Sequence, residues 1–255
     1  MRIVIKVGSS TLTDSGILSI DRMKKLADLI ASIHRENEVM LVTSGAVAAG
    51  SSIVPALRSS STPQRQALAA VGQALLMSQY AKLFEPFGIF VAQILISKDD
   101  FENFSRSENA KTAVNTLLSH KILPIINEND TVVIDELLRG DNDQLSAKVT
   151  HYFDADLLVI LSDIDGYYDK NPKVHSDAKL LKLIDKKLTD EQLNEEATPN
   201  GEFATGGIVT KLKAADFLMQ NGKKMFLSSG FDLSYAKDFL LGKEYKKGSL
   251  FQLIS

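Results

Sequence analysis

Several clusters of polar residues in this chain stand where an apolar run stops, and their types suit the handling of small anions. The run Ile122–Ile126 turns abruptly polar at Asn127-Glu128-Asn129-Asp130. A second cluster, Gly140-Asp141-Asn142-Asp143, opens a helix-like pattern. Amides and carboxylates crowded at a strand end and a helix start are where α/β proteins hold small polar ligands. This Asp/Asn cluster has no lysine beside it, so the counter-charge must come from elsewhere. Lys6 and Lys211 are the candidates, each flanked by glycines and hydroxyl residues.

Four further turns share one design. In Ile5-Lys6-Val7-Gly8-Ser9-Ser10 a strand runs into a Gly-hydroxyl turn, where a glycine N–H can approach a phosphate closely. A lysine on such a strand is more often a solvated edge residue than a ligand. Thr43-Ser44-Gly45-Ala46 ends another strand and starts a helix of small residues, expected to pack closely on the sheet. Its free N–H groups suit a carboxylate or phosphate, although a bare strand-helix turn looks the same. Ser162-Asp163 follows the run Leu157–Leu161 and leads to Tyr167-Tyr168, where an adenine or ribose, or simply a capped turn, fits equally. Thr205-Gly206-Gly207-Ile208-Val209-Thr210-Lys211 opens a helix with two glycines, hydroxyls and an ammonium able to converge on one anion. None of these is a Walker A loop, a Gly-x-Gly-x-x-Gly fingerprint, a protein-kinase signature or a hydrolase elbow.

The elements that must position these turns alternate along the chain. Strands are expected at Ile3–Val7, Val39–Thr43, Ile89–Ile96, Ile122–Ile126, Leu157–Leu161, Lys224–Leu227 and Ser249–Leu253. Helices are expected around Leu26–Ile33, Pro63–Phe84 (with Leu68, Val71 and Leu75 on one face), Asn109–Ser119, Gln144–Phe153, Lys211–Met219 and Leu233–Leu241. Continuous apolar strands between helices predict a mainly parallel sheet covered on both faces. Segments 51–61 and 191–205 read as mobile loops, either lids or solvated insertions.

The 255 residues suit one large α/β domain, and 44% apolar content fills a core. No apolar run approaches the roughly 18 residues of a membrane span. Met1 leads straight into a strand, without a signal-like segment. The absence of cysteine excludes disulfides and thiolate metal sites and fits the cytoplasm. The four histidines stand alone, so no protein metal site is expected. A net charge of −3 without a basic stripe disfavours nucleic acid.

Taken together, Lys6-Val-Gly-Ser-Ser, Val42-Thr-Ser-Gly-Ala-Val-Ala-Ala-Gly50, Leu68-Ala-Ala-Val-Gly-Gln73, Ile126-Asn-Glu-Asn-Asp130, Gly140-Asp-Asn-Asp143, Leu161-Ser-Asp163, Thr205-Gly-Gly-Ile-Val-Thr-Lys211 and Lys247-Gly-Ser-Leu-Phe251 resemble the glutamate 5-kinases of the amino acid kinase superfamily, over essentially the whole chain. The resemblance implies a three-layer αβα sandwich with a central, mainly parallel sheet. It implies one domain, 1–255, with a glutamate-binding half (about 1–150) and an ATP-binding half (about 151–255). Lys6 and Lys211 match the lysines that hold the transferring phosphoryl group, and Asp143 matches the carboxylate that orients them. Ser44, Gly45, Ala46, Asp130, Asp141 and Asn142 fall to L-glutamate. Lys6, Gly8, Ser9, Ser162, Asp163 and the loop Thr205, Gly206, Gly207, Ile208, Val209, Thr210 and Lys211 fall to ATP. Mg²⁺ is carried mainly by the nucleotide phosphates.

Many relatives have Thr in place of Ser9 and Ser162, which keeps the hydroxyl, and many continue into a further domain of the PUA type. The family forms homo-oligomers, so a dimer or tetramer is expected. It is typically inhibited by proline at a site overlapping that of glutamate. Acetylglutamate kinase, aspartokinase and uridylate kinase are the nearest rival readings, and the Asn-Glu-Asn-Asp segment argues against them. A nonenzymatic amino-acid or nucleotide sensor on the same fold is the rival of a different class. The intact Lys6, Lys211 and Asp143 argue against that one.

Overall fold

The computed structural model describes residues 1–57, 61–133, 142–172, 174–194 and 207–254. Its strands are β1 (Arg2–Val7), β2 (Thr13–Asp14), β3 (Ile17–Leu18), β4 (Glu38–Val42), β5 (Val91–Ile96), β6 (Leu123–Glu128), β7 (Leu157–Ser162), β8 (Leu183–Ile184), β9 (Lys224–Ser229) and β10 (Ser249–Phe251). Its α-helices are α1 (Ser9–Leu12), α2 (Ile20–His34), α3 (Ala46–Ile53), α4 (Thr62–Phe84), α5 (Lys98–Glu102), α6 (Phe104–Ser119), α7 (Asp143–Tyr152), α8 (Asp190–Asn194), α9 (Ile208–Gln220) and α10 (Ser234–Leu240).

One eight-stranded sheet runs in the order β5-β6-β4-β1-β7-β9-β10-β8. The first six of these strands are mutually parallel, and β10 turns back antiparallel to β9. The expected αβα sandwich is therefore present. Because side chains alternate across a strand, each strand feeds both layers. In β1, Ile3, Ile5 and Val7 join the core under α2, α4 and α10, while Val4 joins the core under α6, α7 and α9. Lys6 shares the parity of Val4. Its side chain is thereby committed to the α7–α9 layer, and β1 is a central strand. The solvated-edge alternative for this lysine is excluded: it is 4% exposed.

Five expectations need correction. The buried stripe of α4 is Leu68, Ala69, Gly72, Gln73, Leu76 and Tyr80, whereas Val71 is exposed and Leu75 only half-buried. The helix turns so that its small residues, not its bulkiest, face α3. A Cβ on Gly72 would lie 1.8 Å from the Ala46 carbonyl oxygen, and one on Gly50 would lie 2.0 Å from that of Leu68. The close packing of α3 is thus against α4 rather than the sheet. The expected loop at 51–61 begins as the last turn of α3, and Pro55–Leu57 forms a 3-10 turn; 58–60 lie outside the described residues. Of 191–205, the first residues belong to α8 and the remainder lie outside the described residues. The helix expected from Asn109 starts at Phe104, where Asn103 Oδ1 accepts from the Arg106 N–H and caps it.

Candidate active site

The parallel strands deliver their carboxyl ends to one rim of the sheet, which is where such folds bind ligands. Gly8 follows β1, Thr43-Ser44-Gly45 follow β4, Asn127 and Glu128 end β6, Ser162 ends β7, Ser229 ends β9 and Gly230 follows it. The turn after β4 needs its glycine: Gly45 has φ +102° and caps α3 from a left-handed conformation.

Asp143 is the first residue of α7 and has no exposed surface. A carboxylate there is favoured by the partial positive charge of the helix start. Its Oδ1 lies 2.6 Å from Lys6 Nζ and its Oδ2 lies 3.0 Å from Lys211 Nζ. The Thr210 hydroxyl, one residue before Lys211, donates to the same Oδ2 at 3.0 Å. Three segments far apart in sequence therefore meet at one carboxylate. Gly8 borders the group, since a Cβ there would sit 3.6 Å from Lys6 Nζ. Gly207 caps α9, so Ile208, Val209 and Thr210 form its first turn beside Asp143.

The neighbouring Asn142 is fully buried. Its Nδ2 lies within hydrogen-bond distance of Thr43 O (2.9 Å), Asn127 Oδ1 (3.0 Å) and Ser44 Oγ (3.1 Å). Its Oδ1 is buried and meets no donor among the described residues. Asp130, only 7% exposed, likewise has an Oδ1 without a partner among them. Burial, followed by the nearby Glu128 carboxylate, pushes the Asp130 carboxyl up to about 7, with Arg65 opposing. Orphaned buried acceptors are rare and costly, so a pair of them calls for a ligand that brings donors. Asp130 and Glu128 also line a hollow of about 270 Å³ together with Gln73 and Gln93.

At the ends of β7 and β9, Ser162 is buried, its hydroxyl donating to Asp163 Oδ1 at 2.9 Å. Asp163 itself is exposed and the Gly230 N–H donates to Ser162 O at 2.6 Å, tying the two strand ends together. Ser9 starts α1 at the same rim. The Tyr167-Tyr168 turn is pinned by its own contacts: Tyr168 OH bonds Asp165 Oδ1 at 2.9 Å, and Lys247 Nζ reaches Asp165 Oδ2 at 2.5 Å. That favours the capped turn. Of the site residues anticipated from sequence, Asp141, Thr205 and Gly206 lie outside the described residues.

Sequence reasoning set Asn127 in the polar cluster and Gln73 in a family motif, but gave neither an individual role. The motif Leu68-Ala-Ala-Val-Gly-Gln73 was the available signal for Gln73.

The model of the amino acid kinase family matches residues 1–229. A glutamate 5-kinase of Wolinella succinogenes is 53% identical over 255 residues, covering 98% of this chain and 97% of that protein. The chain belongs to the amino acid kinase family. A glutamate 5-kinase of Leishmania donovani is 50% identical over 250 residues, covering 98% of this chain and 94% of its own length. Among solved structures, an isopentenyl phosphate kinase superposes with a TM-score of 0.65 at 19% identity, over 98% of this chain and all of that one. The UMP kinase of Ureaplasma parvum does so at 0.64 and 16%, over 98% and 97%. At such identities the two structures speak for the amino acid kinase fold alone. The family membership makes the chain a phosphotransferase that uses ATP, and the glutamate 5-kinase relatives set it apart from the acetylglutamate kinase, aspartokinase and uridylate kinase readings.

Proposed function

We propose that this protein transfers the γ-phosphoryl group of ATP to the side-chain carboxylate of L-glutamate, giving glutamyl 5-phosphate, the first intermediate toward proline. The observation that carries the reading is the single buried carboxylate of Asp143 held between the ammonium groups of Lys6 and Lys211, in a chain whose relatives are named glutamate 5-kinases.

Bringing a carboxylate onto a triphosphate brings two anions together. The protein has to offset that repulsion and align the groups, and it has little covalent work to do. Glutamate's side chain is already ionised at neutral pH, so no general base is required. Asp143 accordingly serves as the organiser of the two lysines. At about 4 Å and an effective dielectric of about 20, each ammonium offers up to ~4 kcal/mol of attraction before desolvation. Lys6, Gly8 and Ser9 then face the phosphates from one side, and Gly207, Ile208, Val209, Thr210 and Lys211 from the other; Thr205 and Gly206, outside the described residues, join this set through the sequence motif alone. Ser162 and Asp163 support the nucleoside. Mg²⁺ would ride mainly on the nucleotide phosphates, where it would neutralise their charge.

Glutamate lies toward Ser44, Gly45, Ala46, Asp130 and Asn142; Asp141, outside the described residues, joins this set through the sequence motif alone. The unpartnered Asp130 Oδ1 and Asn142 Oδ1 supply acceptors suited to a free α-ammonium. This assigns the segment up to about residue 150 to glutamate and the remainder to ATP. Proline offers a related amino and carboxylate pair and would compete there. A cytoplasmic homo-oligomer, dimer or tetramer, belongs to the same reading. No described helix is long and apolar enough to cross a membrane.

Release of ADP is to be measured across L-glutamate, N-acetylglutamate, aspartate and UMP, with the acyl phosphate trapped by hydroxylamine. Hydroxamate should form with L-glutamate and be suppressed by proline. Preference for N-acetylglutamate or aspartate would overturn the acceptor assignment, and ATP binding without any turnover would point to a sensor.

A further inference from the structure

The motif Leu68-Ala-Ala-Val-Gly-Gln73 is left without a role by the phosphoryl-transfer site. Its first contribution is steric. Leu68 O against Gly50 and Gly72 against Ala46 O bring the α3 and α4 backbones together with no room for a Cβ. That crossing presses α4 onto the sheet and carries Gln73 to its rim.

There Gln73 enters a line of amides that runs from the exposed Gln93 to the buried Asn127 and Asn142. Gln73 Nε2 donates to Gln93 Oε1 at 3.2 Å, and Asn127 Nδ2 donates to Gln73 Oε1 at 3.1 Å. Asn142 Nδ2 in turn donates to Asn127 Oδ1 at 3.0 Å. Strand parity explains why the line forms. Asn127 shares the parity of Leu123 and Ile125, which face the α4 layer, and Gln93 shares that of Val91, packed on the same side.

The direction of the line is fixed by two backbone groups. The Glu128 N–H can only donate, and it lies 2.9 Å from Asn127 Oδ1. Thr43 O can only accept, and it lies 2.9 Å from Asn142 Nδ2. Asn127 therefore turns its oxygen toward Asn142 and its NH2 toward Gln73, and Asn142 turns its own NH2 inward. Asn142 Oδ1 is left over, buried and without a partner among the described residues. Asn127 Oδ1 has to span Glu128 N–H and the Asn142 amide at once, while its Nδ2 donates to Gln73 on the far side.

We infer that Gln73 is a positioning residue for substrate recognition: by holding Asn127 it fixes Asn142 with Oδ1 presented to the amino group of the acceptor. The inference rests on the glutamate reading given above. Gln73 touches neither the lysines nor Asp143 in this line, so its effect falls on the acceptor and not on phosphoryl transfer.

The test compares wild type, Gln73→Met and Gln73→Glu. Met keeps the length of the side chain and removes both polar atoms; Glu keeps an acceptor for Asn127 Nδ2. Wild-type turnover with L-glutamate checks the underlying reading by itself. Given that turnover, Gln73→Met should raise the glutamate KM about tenfold, as for the loss of one buried hydrogen bond, with kcat and the ATP KM within about twofold. Glutamate binding measured by titration calorimetry should weaken in step, and Gln73→Glu should recover most of the loss. A folded Gln73→Met with wild-type glutamate KM, an equal change in the ATP KM, or no recovery in Gln73→Glu each overturns the inference. Should Gln73→Met fail to fold, Gln93→Met on the edge strand removes the next link. It should raise the glutamate KM by about threefold, and an unchanged KM there counts against the role.

Discussion

Lys6 and Asp143 are 137 positions apart in sequence, yet Nζ and Oδ1 lie 2.6 Å apart in a buried site. The other carboxylate oxygen takes Lys211. One anion thus sets the spacing of two cations, which under the proposed reaction would spare reorganisation at the moment of transfer.

Lys6→Ala and Lys211→Ala should each lower kcat by roughly 10²–10³, the usual cost of removing one donor aimed at developing charge. Circular dichroism and a cooperative melt should show an intact fold. Near-normal turnover in either purified variant removes that lysine from the mechanism.

Asp130 gives a pH dependence of defined sign. Its folded-state pKa is raised to about 7, mainly by burial and next by Glu128, against about 3.9 in an unfolded chain. Between these values the folded protein holds a proton that the unfolded chain has lost. Stability of the ligand-free protein therefore falls as pH rises from about 4 to about 7, and the full penalty persists above that. Asp130→Asn should relieve it, so the variant's melting temperature gains on wild type as pH goes from 5 to 8. Binding an ammonium requires the ionised form, so the wild-type glutamate KM should climb as pH drops below about 7. A melting difference that stays flat across this range would refute the assignment.

How far the sequence revealed these arrangements depended on what each residue answers to. The strand runs were legible because β1, β4, β6 and β7 are buried on both faces and read as unbroken apolar segments. Lys6, Lys211 and Asp143 were legible through the family motifs, while nothing local to Lys6 distinguished it from a solvated lysine; its burial comes from lying on a central strand with the parity of Val4. The inward face of α4 was misread because its packing is set by the absence of side chains at Gly50 and Gly72, and apolar periodicity weights bulky residues instead. The amide line was illegible for a related reason. Its members Gln73, Gln93, Asn127 and Asn142 are scattered over four elements, and only the register of β5 with β6 and the α3–α4 crossing bring them into contact.

The crossing itself can be tested. Gly72→Ala sets a methyl 1.8 Å from a backbone oxygen that no rotamer change can move. Overpacking of this kind costs about 1–3 kcal/mol, and for a chain of this size each kcal/mol lowers the melting temperature by roughly 2–4 °C. A loss of at least several degrees is expected. Because α3 begins at the Ser44-Gly45 turn, the glutamate KM should rise as well, with the ATP KM less affected. A variant that melts with wild type would show that the two helices separate freely.

Thr210 offers the finest probe of the charge cluster. Its hydroxyl lies 3.0 Å from Asp143 Oδ2 and 2.9 Å from the Gly207 carbonyl oxygen. Both are acceptors, and the hydroxyl has one proton to share between them. The same group thus ties the first turn of α9 to the carboxylate that receives Lys211 from the next residue. Thr210→Val retains the shape and removes the donor. Hydrogen bonds to charged groups are worth about 1.5–3 kcal/mol, so kcat should fall by about tenfold to a hundredfold if the bond holds Asp143 in register during transfer. Thr210→Ser should stay within about threefold of wild type by the same reasoning, since it keeps the proton. The KM for glutamate should move little in either, because the proposed acceptor contacts are Asn142 and Asp130. If Thr210→Val shifts the glutamate KM instead of kcat, the hydroxyl is serving the acceptor and the division of labour between Asp143 and Asn142 has to be redrawn.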